Sequence, residues 1–444
     1  MPPIMNVFKF AQIEFGGLEF ADAGELAFAL IMLLPLLFFG GCVVYLLRLL
    51  FHAALWRSRI SSLGHWEKEN REQGTEYSHS TSYQSTDFMT RFVLLIPAHD
   101  EELVLAAALN SLYELDYPCT LYSVIVIADN CSDRTAEIGR LCGATVLERF
   151  DTSQIGKGYA LEWALKQSLP EYDAVVILDA DTKVAPNLLR EFAVGLENNE
   201  QAMQARYEVL NADESWRTKL MACALALAHI VKPLGRERLR LSDGLKGNGM
   251  CFSRSLVEQV PWSGESITED IEYTLRLCRA GHRVAFLPNT AVWAQMPTTG
   301  AQAASQRKRW EGGRYRLMTQ TAPSLISEGL KRRNRILIDR ALEIVIPPFA
   351  EMFALPVLFL IVCAGTAWGL HWQSASFFAE CWLLILLGQC IYLIGGMWAA
   401  KVPLSMASVL LRAPFYIVWK FGLYAIMAVT RSSGGWKRTE RREL

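Results

Sequence analysis

Asp179-Ala180-Asp181 stands at the end of an apolar run, Ala174-Val175-Val176-Ile177-Leu178. Two carboxylates one residue apart at a strand exit are suited to a hard divalent cation, because magnesium and manganese prefer oxygen ligands and often take one or two carboxylates plus substrate phosphates. Alternatively, Asp181 caps the segment that starts at Thr182. Asp129 ends a second apolar run, Ser123-Val124-Ile125-Val126-Ile127-Ala128. It reads either as an Asx turn or as a second acid at the same level as the first pair. Gly156-Lys157-Gly158 lacks the spacing of a phosphate-binding P-loop, but it puts a lysine at a helix start, where anions bind. Thr268-Glu269-Asp270 opens a helical pattern, either as a capping group or as a general base whose proton affinity is raised by a neighbouring acid. Gln306-Arg307-Lys308-Arg309-Trp310 is either a basic helix on anionic lipid or a diphosphate clamp with an aromatic face for a sugar ring.

These residues need a frame. Arg91-Phe92-Val93-Leu94-Leu95-Ile96-Pro97 reads as a buried parallel strand. With the runs at 123–128 and 174–178 it alternates with helical patterns at 101–115 and 157–169. An α/β fold with a parallel-dominated sheet is expected, and ligands in such sheets collect at the carboxyl ends of the strands. Those ends are Pro97-Ala98-His99-Asp100-Glu101, Asp129-Asn130 and Asp179-Ala180-Asp181, all polar or acidic.

The chain has 444 residues and a net charge of −1, so no bulk field favours nucleic acid, and none is expected as a partner. Hydrophobic content of 52% is high for a soluble protein and low for a multi-spanning transporter. The ten cysteines show no Cys-x-x-Cys or zinc spacing and read as reduced thiols. Residues 26–47 are almost wholly apolar and are followed by Arg48, Arg57 and Arg59. That pattern places the amino terminus outside and the chain beyond Arg48 in the cytoplasm, with about 20 residues needed to span. Further apolar blocks run over 344–370 and 378–398. The stretch 402–429 carries Arg412, Pro414 and Lys420, and the tail carries Arg431, Lys437, Arg438, Arg441 and Arg442. An external start and an internal end need an odd number of crossings. Three spans are therefore expected, with 402–429 interfacial or re-entrant; a fourth span exporting the tail is the alternative.

In this order, Pro97-x-x-x-Glu101, Asp129, Asp179-x-Asp181, Thr268-Glu269-Asp270 and Gln306-x-x-Arg309-Trp310 resemble the membrane-integrated members of glycosyltransferase family 2. Cellulose, chitin and hyaluronan synthases and bacterial exopolysaccharide or glycolipid transferases belong there. The resemblance implies a nucleotide-sugar-binding GT-A domain over 91–300, after an extracytoplasmic segment (1–25), a transmembrane helix (26–50) and a polar linker (51–90). Interfacial helices with the Gln-x-x-Arg-Trp motif (301–343), two transmembrane helices (344–398) and an interfacial or re-entrant region with a basic tail (399–444) complete the layout.

The resemblance also implies roles. Pro97, Glu101, Asp129, Lys157, Asp179 and Arg309 would bind the donor, and Asp181 with Asp179 would ligate Mn2+ or Mg2+. Asp270 would be the catalytic base. Gly247, Asn248, Gly249, Glu269, Gln306 and Trp310 would form the acceptor side. The implied protein is an integral inner-membrane enzyme with a cytoplasmic catalytic domain, in contact with membrane lipids. It would move a sugar with inversion from a nucleotide-diphosphate-sugar, a UDP-sugar foremost, to a saccharide or lipid-linked acceptor, in exopolysaccharide or glycoconjugate synthesis. With only two spans after the catalytic region, single addition to a lipid carrier is an alternative to polymer growth. An inactive nucleotide-sugar-binding scaffold and a transporter are the competing classes.

Overall fold

A computed structural model describes residues 13–15, 18–59, 89–264, 268–299 and 313–429. It divides into two compact units, one of Met1–Phe51 with Ile346–Gly396, the other of His52–Val345 with Met397–Leu444.

The larger unit is built on an eight-stranded sheet in the order β5-β4-β3-β6-β9-β8-β10-β7. Its strands are β3 (Phe92–Ala98), β4 (Tyr122–Asp129), β5 (Thr145–Arg149), β6 (Ala174–Ile177), β7 (Lys183–Val184), β8 (Ala202–Val209), β9 (Met250–Ser253) and β10 (Val284–Ala294). The names β1 and β2 are kept for a hairpin in the smaller unit, Ile13–Phe15 with Leu18–Phe20. Pairs β3/β4, β4/β5, β3/β6 and β8/β10 are parallel. β9 runs antiparallel between β6 and β8, and β7 antiparallel to β10. The sheet is therefore mixed, with parallel pairing dominant.

Successive strand side chains point to opposite faces. Phe92, Leu94, Ile96 and Ala98 of β3 pack with Leu105, Leu109 and Leu112 on one side. Val93 and Leu95 pack with Ala160, Leu161, Trp262, Tyr273 and Leu277 on the other. Both faces are covered, which is why β3, β4 and β6 read as continuous apolar runs. The helices that cover the sheet are α2 (Leu105–Tyr113), α3 (Thr135–Leu141), α4 (Lys157–Leu165) and α5 (Leu188–Glu197). The helix expected from 101 starts only at Leu105, because the Glu101 carbonyl first accepts two N–H bonds in a turn, from Val104 and Leu105.

Between β8 and β9 lies a long helix in three parts, α6 (Trp216–Ala226), a π-helical turn (Leu227–Val231) and α7 (Lys232–Arg238). Ser215 caps it through a reciprocal pair of bonds with Thr218. On α7, buried Arg236 pairs with Asp339 at 3.0 Å and with Glu343, which Lys232 also contacts. Both acids belong to a later helix, so these ion pairs fasten α7 to it. After α8 (Arg254–Gln259), the helix α9 (Glu269–Arg279) shares a core with α10 (Ala322–Lys331) and α11 (Arg335–Val345), through Leu275, Leu317, Leu325, Leu337 and Ile344.

In the smaller unit are most of α1 (Ala23–Leu55), α12 (Phe349–Leu370) and most of α13 (Gln373–Ala399). Gly388 and Gly395 let α13 approach α1 closely, since a Cβ at either would come within 2.6 Å of Val43 or 2.8 Å of Leu50. Trp382 stacks on Phe359 with ring centroids 4.8 Å apart. Leu34, Leu37, Ile361 and Leu384 stay exposed, as a lipid-facing surface would be.

Five helical stretches of the described residues are long and apolar enough to cross a membrane: α1, Trp216–Arg238, α12, α13 and Leu404–Gly422. Trp216–Arg238 is an addition to the expected spans; half of it is buried inside the larger unit. The stretch expected to be interfacial or re-entrant forms α14 (Leu404–Ala407), a 3-10 turn (Ser408–Arg412) and α15 (Ala413–Val429). It docks on α6, where the Arg217 guanidinium lies 4.6 Å from the Trp216 ring and 5.1 Å from the Trp419 ring. Most of the polar linker and the whole basic tail lie outside the described residues.

Candidate active site

The site starts where β3, β4 and β6 end. Beyond half-buried Pro97, the chain turns through Asp100 at a φ of 54°. The Asp100 carboxylate accepts the Ser132 N–H at 2.7 Å, and the Glu101 N–H donates to Thr135 Oγ1 at 2.7 Å. His99 Nδ1 lies 2.7 Å from the Asp129 carbonyl oxygen. These bonds latch the exit of β3 to the exit of β4, with the Glu101 side chain almost fully buried beside them.

Asp129 is the last residue of β4 and is only 4% exposed. Its Oδ1 accepts from Arg149, the last residue of β5, at 2.6 Å and from Asn130 Nδ2 at 3.0 Å. Burial pushes the Asp129 carboxyl above its ordinary value, against the pull of that guanidinium.

At the exit of β6, Lys157 from the first turn of α4 ion-pairs with Asp179 and donates to the Gly247 carbonyl oxygen. Burial works against the charged ammonium, but Asp179, Glu269 and Asp270 outweigh it and hold Lys157 above the usual lysine range. Gly247 has a φ of 78°, and a Cβ there would lie 3.5 Å from Asp270 Oδ2 and 3.9 Å from Lys157 Nζ. One loop residue thus separates the ammonium that grips Asp179 from the carboxylate of Asp270. Gly249 takes a φ of 68°, and a Cβ there would press to 2.7 Å from Val292. No L-residue side chain satisfies both conditions.

Glu269 and Asp270 form the first turn of α9. Asp270 Oδ1 accepts the Ile271 N–H at 2.8 Å. Thr274 Oγ1 donates to the Asp270 carbonyl at 2.8 Å and accepts the Leu245 N–H at 2.9 Å, bolting α9 to the glycine loop. Both carboxyls keep an edge of solvent contact yet sit among dense protein atoms. Burial raises Glu269 to about 7, helped by the adjacent Asp270 charge and opposed by Lys157. Asp270 is raised by burial too, against the pull of the Ile271 N–H and of Lys157 and Lys246.

Asn248 was expected beside the acceptor. Its side chain is instead fully buried, accepting the Asp179 N–H at 3.1 Å and donating to Thr182 Oγ1 at 2.8 Å. It fixes the loop to the acidic pair. Sequence reading missed its counterpart, Gln204 of β8. The fully buried Gln204 donates through Nε2 to the Asn248 carbonyl at 2.8 Å and accepts the Lys246 N–H at 2.9 Å. The available signal was an amide in a strand covered on both faces, where a polar side chain needs partners. Gln204→Leu strands those loop groups and lets the loop shift. We expect kcat to fall about 10–100-fold with the donor KM nearly unchanged, in steady-state assays. An unaltered kcat would remove Gln204 from this role.

For a cation, the carboxylates of Asp179 and Asp181 offer hard oxygen ligands. Asp181 is 2% exposed, at the rim of the core. Among the described residues, no group of three or more Asp, Glu, His or Cys side chains at ligand spacing includes them. The one such group is Asp100, Cys131 and Asp133. There burial raises the Cys131 thiol to about 11, so it stays protonated and is a poor ligand. Gln306, Arg309 and Trp310 lie outside the described residues. Gly313, three residues on from Trp310, packs on the Thr268-Glu269-Asp270 turn, where a Cβ would come within 2.4 Å of Thr268.

The model of a protein family described as "Glycosyltransferase like family 2" matches residues 90–313, half of the chain. The chain belongs to glycosyltransferase-like family 2. Among its relatives, the "Probable glycosyltransferase YdaM" of Bacillus subtilis is 27% identical over 259 residues, 55% of this chain and 60% of that protein. The "Beta-monoglucosyldiacylglycerol synthase" of Trichormus variabilis is 32% identical over 230 residues, 50% of this chain and 48% of that one. The matched parts span about half the length of these curated relatives. A solved mannosyltransferase from Pyrobaculum calidifontis, in complex with GDP-Man and Mn2+, is similar at 17% identity and a TM-score of 0.43, over 80% of this family 2 chain and 99% of its own.

Proposed function

We propose that this family 2 chain is a metal-dependent, inverting glycosyltransferase that moves a hexose from a nucleotide-diphosphate-sugar to a lipid acceptor at the inner face of the membrane. The observation that carries this reading is the convergence at Gly247. Lys157 joins Asp179 to the Gly247 carbonyl, and Asp270 Oδ2 lies 3.5 Å from where a Gly247 Cβ would stand. An acid that can face a diphosphate and an acid that can take a proton thus meet at Gly247, the first through Lys157.

In the proposed reaction the acceptor hydroxyl oxygen attacks the anomeric carbon while Asp270 takes its proton. The bond from that carbon to the diphosphate oxygen breaks, the nucleoside diphosphate leaves with the electron pair, and the single displacement inverts the centre. Asp179 and Asp181 would hold Mn2+ or Mg2+, which supplies Lewis-acid stabilisation of the leaving diphosphate. Lys157 orients Asp179, and Glu101 and Asp129 shape the nucleotide end of the crevice. Arg309, Gln306 and Trp310 take the diphosphate and acceptor roles of their motif. A lipid acceptor is supported by the apolar helices α1, α12 and α13, and by relatives named "Beta-monoglucosyldiacylglycerol synthase". Chain extension on a saccharide is the second reading.

The test is to purify the chain in detergent and assay radiolabelled nucleotide-sugars with Mn2+ or Mg2+ and diacylglycerol. One donor should release its nucleotide and give an organic-extractable product carrying one sugar. A water-soluble polymer would select the second reading, and no nucleotide release with any donor would reject both.

A further inference from the structure

β4 and β5 end side by side. Asp129 and Arg149 are register partners in this parallel pair, so their side chains share one face of the sheet. Both are almost fully buried. Arg149 Nη1 donates to Asp129 Oδ1 at 2.6 Å and to the Gln154 carbonyl at 2.9 Å, while Nη2 donates to Asp151 Oδ2 at 3.0 Å. Three acceptors from two segments thus fix one planar guanidinium. A lysine could match its charge but not its fork.

The loop that supplies two of these acceptors is itself tied down. Asn130, at a φ of 52°, donates to the Asp151 carbonyl at 3.1 Å and accepts the Asp151 N–H at 2.8 Å. Asp151 Oδ1 in turn accepts the Ser153 N–H at 2.9 Å. The guanidinium is therefore aimed by the loop as well as by Asp129. β5 is the edge strand of the sheet, so no further strand supports Arg149 from that side.

A carboxylate as deeply buried as Asp129 keeps its charge and direction only with a partner. Asn130 Nδ2 reaches the same Oδ1 at 3.0 Å, but it is neutral. Arg149 brings the balancing charge. We propose that Arg149 is a positioning residue that acts through Asp129, holding its carboxylate in the direction that meets the nucleoside of the donor. This role rests on the nucleotide-sugar reading of the site.

The test is titration calorimetry of the full chain in detergent with UDP and with GDP, each with Mn2+, arranged as a double-mutant cycle. Arg149→Met should weaken binding of the nucleotide by about 10–100-fold, the range for loss of a hydrogen bond to a charged group. Arg149→Lys should recover part of that loss. Asp129→Asn should weaken binding as well, and the double variant should bind no more weakly than the weaker single variant. Losses that add would overturn the role, because a structural part independent of Asp129 would give that result. So would a folded Arg149→Met chain, or an Asp129→Asn chain, that binds like the unaltered one. If Arg149→Met does not fold, the same cycle with Arg149→Lys decides the matter. Binding of neither nucleotide by the unaltered chain would overturn the donor reading and this role together, whereas the other adverse results overturn this role alone.

Discussion

Sugar transfer by an Asp270→Asn chain is expected to fall by about 10²–10⁴-fold, the usual contribution of a positioned general base. The change keeps shape and removes the proton acceptor. The Asp270 carbonyl, which receives Thr274 Oγ1, and the loop joined through Leu245 are untouched. Donor affinity, followed by titration calorimetry with the nucleotide-sugar, should therefore stay close to that of the unaltered chain. Near-normal turnover would refute the base assignment.

The pH profile carries a second readout of the same residue. Burial raises both members of the Glu269–Asp270 pair, Glu269 to about 7. A base works only when ionised, so kcat/KM should climb with pH through the raised value rather than through the ordinary carboxylate range near 4. Two acids this close titrate as a unit. Glu269→Gln removes one like charge, so the acid limb should move to lower pH. A limb that stays in place would mean that the neighbouring charge does not set it.

The other large effect is expected at Asp181. Transfer by the unaltered chain should stop with EDTA and return with Mn2+ or Mg2+. Asp181→Ala should weaken metal-dependent donor binding by at least about 10–100-fold, the range for loss of a mere outer partner of a metal ligand. Asp181 is almost fully buried, so Asp181→Asn serves as the companion that keeps the volume. Metal-independent transfer by the unaltered chain, or undiminished donor affinity in Asp181→Asn, would dismiss the metal role.

Much of this site could be read from the chain alone because it hangs on buried parallel strands. β3, β4 and β6 are covered on both faces, so they stand out as apolar runs, and the polar residues at their carboxyl ends mark one edge of the sheet. The other half was harder to read. β9 pairs antiparallel with β6 and β8, and its four residues carry little pattern of their own. Residues that act by holding others were also hidden. Gln204 and Thr274 are ordinary polar residues in sequence, and only the bonds that cross from β8 and α9 to the glycine loop reveal their part. Arg149 is not legible in sequence because its partner, Asp129, lies one strand away. For Asn248 the neighbourhood was legible but not the direction of the side chain, which is set by Thr182 and the Asp179 backbone.

The π-helical turn at Leu227–Val231 bears on how this chain can change by insertion or deletion. A wide turn of this kind holds one residue more than regular α winding would. Deleting a single residue there would let the turn close to regular α winding and leave the downstream helix nearly in phase, because the wide turn already absorbs one residue. Lys232 and Arg236 would keep facing Glu343 and Asp339. The same deletion in the regular winding of α6 would instead rotate everything downstream by about 100° about the axis, so shortening the chain by one should be far less harmful in the wide turn than in α6.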